Sequence, residues 1–391
     1  MSGDIDGAKT RREGLVLGSV RGTPIILANS WFLIAAVTVI IFGPQLQQIY
    51  PSLGAGAYLV AFAYALLLLF SVLIHELAHA VTAKLYGWTT HKIVLNLWGG
   101  HTEFDFSKAT PGKALVVAFA GPIANFVLAG LGWLVKLGLP EVASSEGVSL
   151  GTAIAVLLAN IFIWANLLIG LFNVLPGLPL DGGRLVESIV WKATGSQEKG
   201  TIAAGWAGRV IVIVIVAVVL ALPYLRGIQP ELTTTFIVIL LAGFLWMGAS
   251  ASIKGAAMRL RLPAITAGSL AARAVSASNQ CSVAQLWTLR GQYPSEPIVL
   301  FGTDGRPASV VDEYALAHVP PQAAATTPAT AVSRSLSAGA YVPELAAGAE
   351  LVAYLSQLPD MEYAVIDVEG RVTGLLSQAK VVAAITGKPL S

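Results

Sequence analysis

His75-Glu76-Leu77-Ala78-His79 sets two imidazoles four residues apart and a carboxylate beside the first. In a helix, residues four apart share a face, so both rings can reach one ion. Glu76, offset by one residue, can approach a water on that ion as a general base. A zinc ion in such a setting lowers the pKa of its water toward ~7, so the pattern is equipped for hydrolysis. A catalytic zinc normally takes three protein ligands, and the motif supplies two. The other histidines are His91, His101 and His318, and a stronger third candidate is Asp181. It closes the stretch Asn173-Val174-Leu175-Pro176-Gly177-Leu178-Pro179-Leu180-Asp181-Gly182-Gly183. There the two prolines stop a helix, and the glycines allow close backbone approach. Asp181 could also cap a helix over 182–193.

These groups are carried on an apolar framework. The 391 residues are 55% hydrophobic and 12% charged, about half the charge of an average soluble domain. Runs at 24–43, 56–83, 114–135, 150–172, 210–225 and 232–253 each approach the ~20 residues that a bilayer-spanning helix needs, and Glu76 is their only acidic or basic residue. An ionisable group inside a membrane is costly and normally functional, and broken backbone at that depth survives only around a cavity. Lys9, Arg11, Arg12 and Arg21 precede the first run; basic residues then cluster in 84–113, in 173–209 and from Lys254 to Arg261. The alternate loops are nearly free of them, so both termini are expected in the cytoplasm. On that topology His75, His79 and Asp181 approach the same face. The first run has no cleavage pattern after it and reads as a retained anchor. The single cysteine, Cys281, excludes an internal disulfide and fits a reducing compartment.

After residue 260 the composition turns mixed, and a repeat emerges at an offset of 65 residues. Ala284-Gln285-Leu286 parallels Ala349-Glu350-Leu351, and Asp304-Gly305-Arg306 parallels Glu369-Gly370-Arg371. Each unit reads as helix, strand, tight turn, strand, helix. Pro320 to Thr330 reads as a linker or an exposed loop. The pattern resembles a tandem pair of CBS domains over about 263–388, with units near 263–319 and 331–388. Such pairs regulate an attached enzyme or channel and often bind adenine nucleotides. The positions of the usual ribose-binding Asp hold Ala315 and Lys380, three residues after Asp312 and Ser377. That departure argues against adenine-nucleotide binding, while the resemblance allows a homodimer through the tail.

His75-Glu76-x-x-His79 on the second span, with Asn173-x-x-Pro176 leading to Leu180-Asp181-Gly182 on the fourth, resembles the site-2 protease family of intramembrane zinc proteases. Gly121-Pro122-Ile123-Ala124-Asn125 on the third span is similar to a further feature of that family. The resemblance covers about residues 24–255. It implies a six-span α-helical membrane domain, His75, His79 and Asp181 as ligands of one zinc, and Glu76 as catalytic base. It also implies a bacterial plasma-membrane setting and a membrane-spanning substrate, such as an anti-sigma factor or similar regulator, with no nucleic acid involved. Asn173 and Asn125 could donate hydrogen bonds to the oxyanion or the substrate backbone, or simply join helix to helix. A substrate must be bound extended, and 91–106 reads as a β-hairpin at the cytoplasmic surface, turning at Gly99-Gly100, that could pair with it. A transporter with a CBS pair would spread its membrane charges along an ion path, and a proteolytically dead scaffold would have lost Glu76 or a ligand.

Overall fold

The chain enters its first long helix from a pair of strands. The computed structural model describes residues 14–97, 99–105, 108–139, 149–358 and 360–387, so the basic residues Lys9, Arg11 and Arg12 lie outside the described residues. Strands β1 (Gly14–Val20) and β2 (Thr23–Ala28) precede helix α1 (Asn29–Ile49). A tail over 1–23 and a helix from 24 are what the apolar run suggests; the run instead opens as a strand. Thr23, Ile25 and Leu27 are buried in alternation, the period of a strand. A parallel partner 68 residues away supplies the pairing, with Ile25 opposite Ile93 and Leu27 opposite Leu95.

Helix α2 (Gly56–Leu85) is followed by β3 (Thr90–Asn96) and β4 (Gly99–Phe104). The expected hairpin therefore forms, as half of a sheet in the order β1-β2-β3-β4 with β4 at an edge. Gly99 and Gly100, expected in its turn, instead pair with Asn96 and Leu95 as part of β4, and His101 follows them on that strand. Phe106 lies outside the described residues. The sheet packs Ile25, Leu27, Ile93 and Leu95 against Trp31, Ala65 and Ala80.

Next come α3 (Pro111–Leu137), α4 (Leu150–Val174) and the short amphipathic α5 (Gly183–Thr194). Helix α6 (Gln197–Val216) runs through a π-turn at Ala217–Ala221 into α7 (Leu222–Leu225), and α8 (Leu232–Arg261) follows. Among the described residues, six helices are long and apolar enough to cross a bilayer, the fifth being Gln197–Leu225. The apolar run alone starts that span at Val210, because the charge of Arg209 interrupts it; the helix carries Arg209 inside it.

Small residues set how closely the spans approach. Ala57, Ala61, Ala65, Ser71, His75, His79 and Ala83 are buried along α2. On α3 the buried set includes Ala114, Ala118, Gly121, Asn125, Ala129 and Gly132. Lipid offers no hydrophobic drive for helices to associate, so close packing and interhelical hydrogen bonds must hold them, and small side chains permit both.

Residues Gly255–Ser391 form a second compact unit. It contains α9 (Ala267–Leu270), β5 (Ala272–Arg273), β6 (Val275–Ser278), α10 (Val283–Gln292), β7 (Ile298–Phe301), β8 (Pro307–Val311) and α11 (Glu313–Ala317). Then follow β9 (Ser333–Ser335), β10 (Tyr341–Pro343), α12 (Gly348–Leu355), β11 (Glu362–Ile366), β12 (Val372–Ser377) and α13 (Gln378–Thr386). The repeat holds in register: Val283 starts α10 and Gly348 α12, Pro307 starts β8 and Val372 β12, Glu313 starts α11 and Gln378 α13. The anticipated turns carry Gly305 at φ 75° and Gly370 at φ 80°, a backbone region glycine enters without strain.

The sheets cross the boundaries read from sequence. One has the order β6-β7-β8-β9 and the other β10-β11-β12-β5. Each repeat thus borrows an edge strand from the chain outside its own stretch, β9 from beyond residue 331 and β5 from before the first repeat's strands. The stretch from Pro320 to Thr330 is largely exposed, as a linker or loop would be, but it is pinned to the unit at points along its length. Ala324 and Ala329 are buried, and the carbonyls of Ala324 and Thr327 accept from the N–H groups of Ala284 and Val283. It serves as the N-terminal cap of α10, whose first amides have no partner within the helix.

Candidate metal centre and active site

Two spans and one loop bring the three candidate ligands together. His75 and His79 face inward from α2, both buried. Asp181 arrives on the loop after α4, which stops at Val174 before Pro176. That loop is held at both ends: Gly182 N–H donates to the Asn173 carbonyl at 2.6 Å, and Leu178 N–H to the Ala204 carbonyl of α6 at 3.0 Å. A Cβ on Gly182 would lie 2.5 Å from the Leu175 carbonyl oxygen, so only glycine lets the loop fold back this tightly. Helix α5 is capped at Gly182, with no side-chain bond. The Asp181 carboxylate is therefore free of the capping role and turns to the histidines.

His75 Nε2 lies 3.0 Å from Asp181 Oδ2, His79 Nε2 lies 3.3 Å from the same oxygen, and the two Nε2 atoms are 3.1 Å apart. Hydrogen bonding fixes which nitrogen of each ring carries the proton. Asn166 on α4 donates through Nδ2 to the Phe162 carbonyl and to Ser71 Oγ, both at 2.9 Å. A carbonyl only accepts, so Asn166 must present Oδ1 to Asn125, whose Nδ2 donates to it at 2.7 Å. Asn125 then presents its own Oδ1 to His75 Nδ1, and that nitrogen must hold the proton. His79 Nδ1 likewise donates to the Val117 carbonyl at 2.7 Å.

With both rings neutral, the two Nε2 atoms would turn lone pairs toward a carboxylate oxygen, an arrangement that a cation among the three would stabilise. Tetrahedral zinc with bonds of ~2.0–2.1 Å would separate its ligand atoms by about 3.3 Å, close to the distances found. His75, His79 and Asp181 are the group of metal-type ligands that meets here among the described residues, and His101 is not part of it.

Glu76 is buried, and its Oε2 accepts from Thr102 Oγ1 on β4 at 2.6 Å. Gly100 passes directly over the same side chain, where a Cβ would fall 2.8 Å from Oε1. Expected in a turn, Gly100 instead serves the carboxylate by its bareness. Gly121 does the same for the rings, since a Cβ there would sit 2.6 Å from His75 Nε2. A cavity of about 250 Å³ opens on Glu76, His79 and Asp181 and is lined also by Thr102, Pro179 and Arg184.

Of its two suggested roles Asn125 takes the second, joining helix to helix. It is fully buried, with one end of its amide on His75 and the other on Asn166, so it orients the ring and cannot reach a substrate. Asn173 is half-buried and fixes the loop through its carbonyl. Sequence reasoning missed Thr102, Asn166, Ser71 and Glu187. The first three are small polar residues of common type with no spacing signal. Glu187, fully buried, accepts from Arg184 at 2.8 Å and Gln197 at 3.1 Å and ties α5 to the start of α6; its i, i+3 spacing from Arg184 was the available clue.

Comparison with known proteins points to a family of zinc metalloproteases. Residues 63–222 match Peptidase family M50. Across 96% of both chains the sequence is 30% identical to sll0528 of Synechocystis sp., which carries a zinc-metalloprotease name. The site-2 protease from Methanocaldococcus jannaschii is 26% identical, with 61% of this chain and 94% of that one aligned at a TM-score of 0.41. The CBS domain of a bacterial CNNM/CorC family Mg2+ transporter aligns with 40% of this chain and 98% of its own at 15% identity and a TM-score of 0.28.

Proposed function

This chain belongs to peptidase family M50 as a multi-pass zinc metalloprotease of the site-2 protease type, and we propose on that premise how its residues divide the work, with the C-terminal unit as a CBS pair. His75 Nε2, His79 Nε2 and Asp181 Oδ2 hold the zinc. The observation that carries this assignment is the convergence of three metal-type ligand atoms within 3.0–3.3 Å. A zinc ion held by these three residues would supply an acidified water and a Lewis acid for the scissile carbonyl.

Glu76 is the proton carrier. It takes the proton of the attacking water and gives it to the departing amine nitrogen, so that hydroxyl and hydrogen end on opposite sides of the broken peptide bond. The Thr102 hydroxyl holds Oε2 and leaves Oε1 for the transfer. Asn125 keeps His75 in the required tautomer, as outer partners of metal-bound histidines do. The Asn173 carboxamide is the remaining candidate donor to the oxyanion or to the substrate backbone.

A helical substrate hides its carbonyls, so it must be drawn out straight before cleavage. Strand β4 is a sheet edge, and Gly100 and Thr102 on it line the catalytic cavity. A substrate segment added along that edge would lie extended beside Glu76. The substrate class is a membrane-spanning protein, with a single-span regulator such as an anti-sigma factor as the specific proposal. Both termini face the cytoplasm on the basic-residue pattern, and the CBS pair modulates access or activity without binding adenine nucleotides tightly.

Replacing Glu76 by Gln tests the core of this reading. The variant should hold one zinc per chain and lose most turnover on any accepted substrate, since it removes the base and no ligand. Cleavage at the wild-type rate would refute the role.

A further inference from the structure

Arg209 stands inside the fifth span, followed by an unbroken apolar run to Leu225. An arginine in a spanning segment is costly and is ordinarily met by a carboxylate or by carbonyls. Among the described residues no carboxylate lies within ion-pair distance of it, and its hydrogen bond is from Nη2 to Ser250 Oγ on α8, at 3.0 Å. Two indoles flank the guanidinium instead: Trp206 on α6 at 4.6 Å and Trp246 on α8 at 5.0 Å. Aromatic faces stabilise the charge without consuming its N–H donors. A guanidinium carries five such donors; Ser250 takes one from Nη2, and Nε is buried without a partner, which leaves the terminal Nη groups to face outward. The cation is held in place while most of its hydrogen-bonding capacity stays unspent.

The surroundings say where the missing acceptor comes from. Trp206 is 54% and Trp246 41% exposed, among the similarly exposed Val210, Ile213 and Met247, so the group opens on the outer, lipid-side surface of the bundle. About 20 residues cross the hydrocarbon core. Counted back from Leu225 along the fifth span, they reach Trp206; counted forward from Leu232 along α8, they pass Trp246 and Ser250. Both counts put the cluster at one level, near the end of the spans, where tryptophans sit among lipid headgroups. The same level adjoins the metal-bearing loop, for Gly208 packs on Leu178 and Gly248 on Pro179.

We propose that Arg209, flanked by Trp206 and Trp246, binds the phosphate of an anionic phospholipid in the leaflet nearest the metal centre. A phosphodiester offers the paired oxygens that a guanidinium fork matches. A zwitterionic headgroup brings its own ammonium, which Arg209 repels. Such a lipid would brace α6 and α8 where they grip the Pro176–Leu180 loop. The site is independent of the catalytic roles given above, and its failure would leave them standing.

The test uses the full-length protein in a neutral detergent, stripped of lipid. Its melting temperature is followed during titration with phosphatidylglycerol, phosphatidylcholine or inorganic phosphate. Phosphatidylglycerol should raise the melting temperature of the wild type, and the other two should leave it in place. Arg209→Met should abolish that response. Arg209→Lys, which keeps the charge and loses the fork, and Trp206→Leu, which removes an indole face, should each weaken it about tenfold, the scale of one charged hydrogen bond or one desolvated cation–π contact. An equal response to phosphatidylcholine, or to inorganic phosphate alone, would overturn the assignment to an anionic lipid. So would an undiminished response in Arg209→Met; if that variant does not fold, unchanged titrations in both Arg209→Lys and Trp206→Leu would overturn it equally.

Discussion

Asn125 gives the sharpest test of how the bundle sets the metal centre. Replacing it with Leu keeps the approximate volume and removes both amide ends. His75 Nδ1–H then loses its acceptor and Asn166 Oδ1 its donor, all in a fully buried setting. Each orphaned group costs about 1–3 kcal/mol, so the fold should lose roughly 2–6 kcal/mol in total. The effect on the metal is separate. Without its partner the ring can rotate or change tautomer, and loss of such a partner typically weakens metal binding about 10–100-fold, or ~1.4–2.8 kcal/mol. Zinc affinity is measured by chelator competition on purified, folded protein, beside turnover at saturating zinc. Asn125→Asp, which still accepts from Nδ1–H, should recover most of the affinity but not the stability, because its carboxylate faces Asn166 Oδ1. Wild-type zinc affinity in Asn125→Leu would refute the reasoning, and so would equal losses of affinity in Leu and Asp.

Thr102→Val should keep zinc and lower turnover about tenfold, the equivalent of one charge-assisted hydrogen bond, while Thr102→Ser stays near wild type; a rate unchanged in Val would remove Thr102 from the mechanism. Gly121→Ala puts a methyl 2.6 Å from His75 Nε2, so the ring must shift by nearly 1 Å. A displacement of that size costs on the order of 100-fold in rate, and zinc content measured together with turnover should both fall. Calorimetry of the full chain with AMP and ATP should show no micromolar binding; a micromolar signal would reverse the reading of Ala315 and Lys380.

Much of the centre is legible in the sequence because its chemistry needs rare residues at fixed spacing. The His75–His79 interval gives one helix face, and the prolines and glycines around Asp181 announce a loop that folds back on itself. The 65-residue repeat likewise predicts its turns, because Asp-Gly and Glu-Gly tolerate the left-handed backbone that they adopt. What the sequence hides rests on distant partners. Residues 24–28 carry an apolar run that fits a span, and become a strand only because β3 lies beside them. The edge strands of the second unit are exchanged between repeats, and a local pattern cannot show which sheet a three-residue strand will join. Asn125 is recognisable as polar and well placed, yet its role depends on which carbonyl holds Asn166, a fact of helix packing and not of composition.

That dependence joins two properties usually treated apart. The Phe162 carbonyl on α4 orients Asn166, Asn166 orients Asn125 on α3, and Asn125 sets the tautomer of His75 on α2. The bonds between these side chains close only because alanines and glycines let the three helices approach, so the small-residue faces are as much a condition for metal binding as the ligands. A larger side chain at Gly170, where a Cβ would meet the Phe126 ring at 2.9 Å, would push α4 from α3 and stretch the Asn166–Asn125 bond first. The loss would reach the zinc through two hydrogen bonds without touching a ligand. In this bundle the distance between spans is itself a determinant of the tautomer that His75 presents at the catalytic centre.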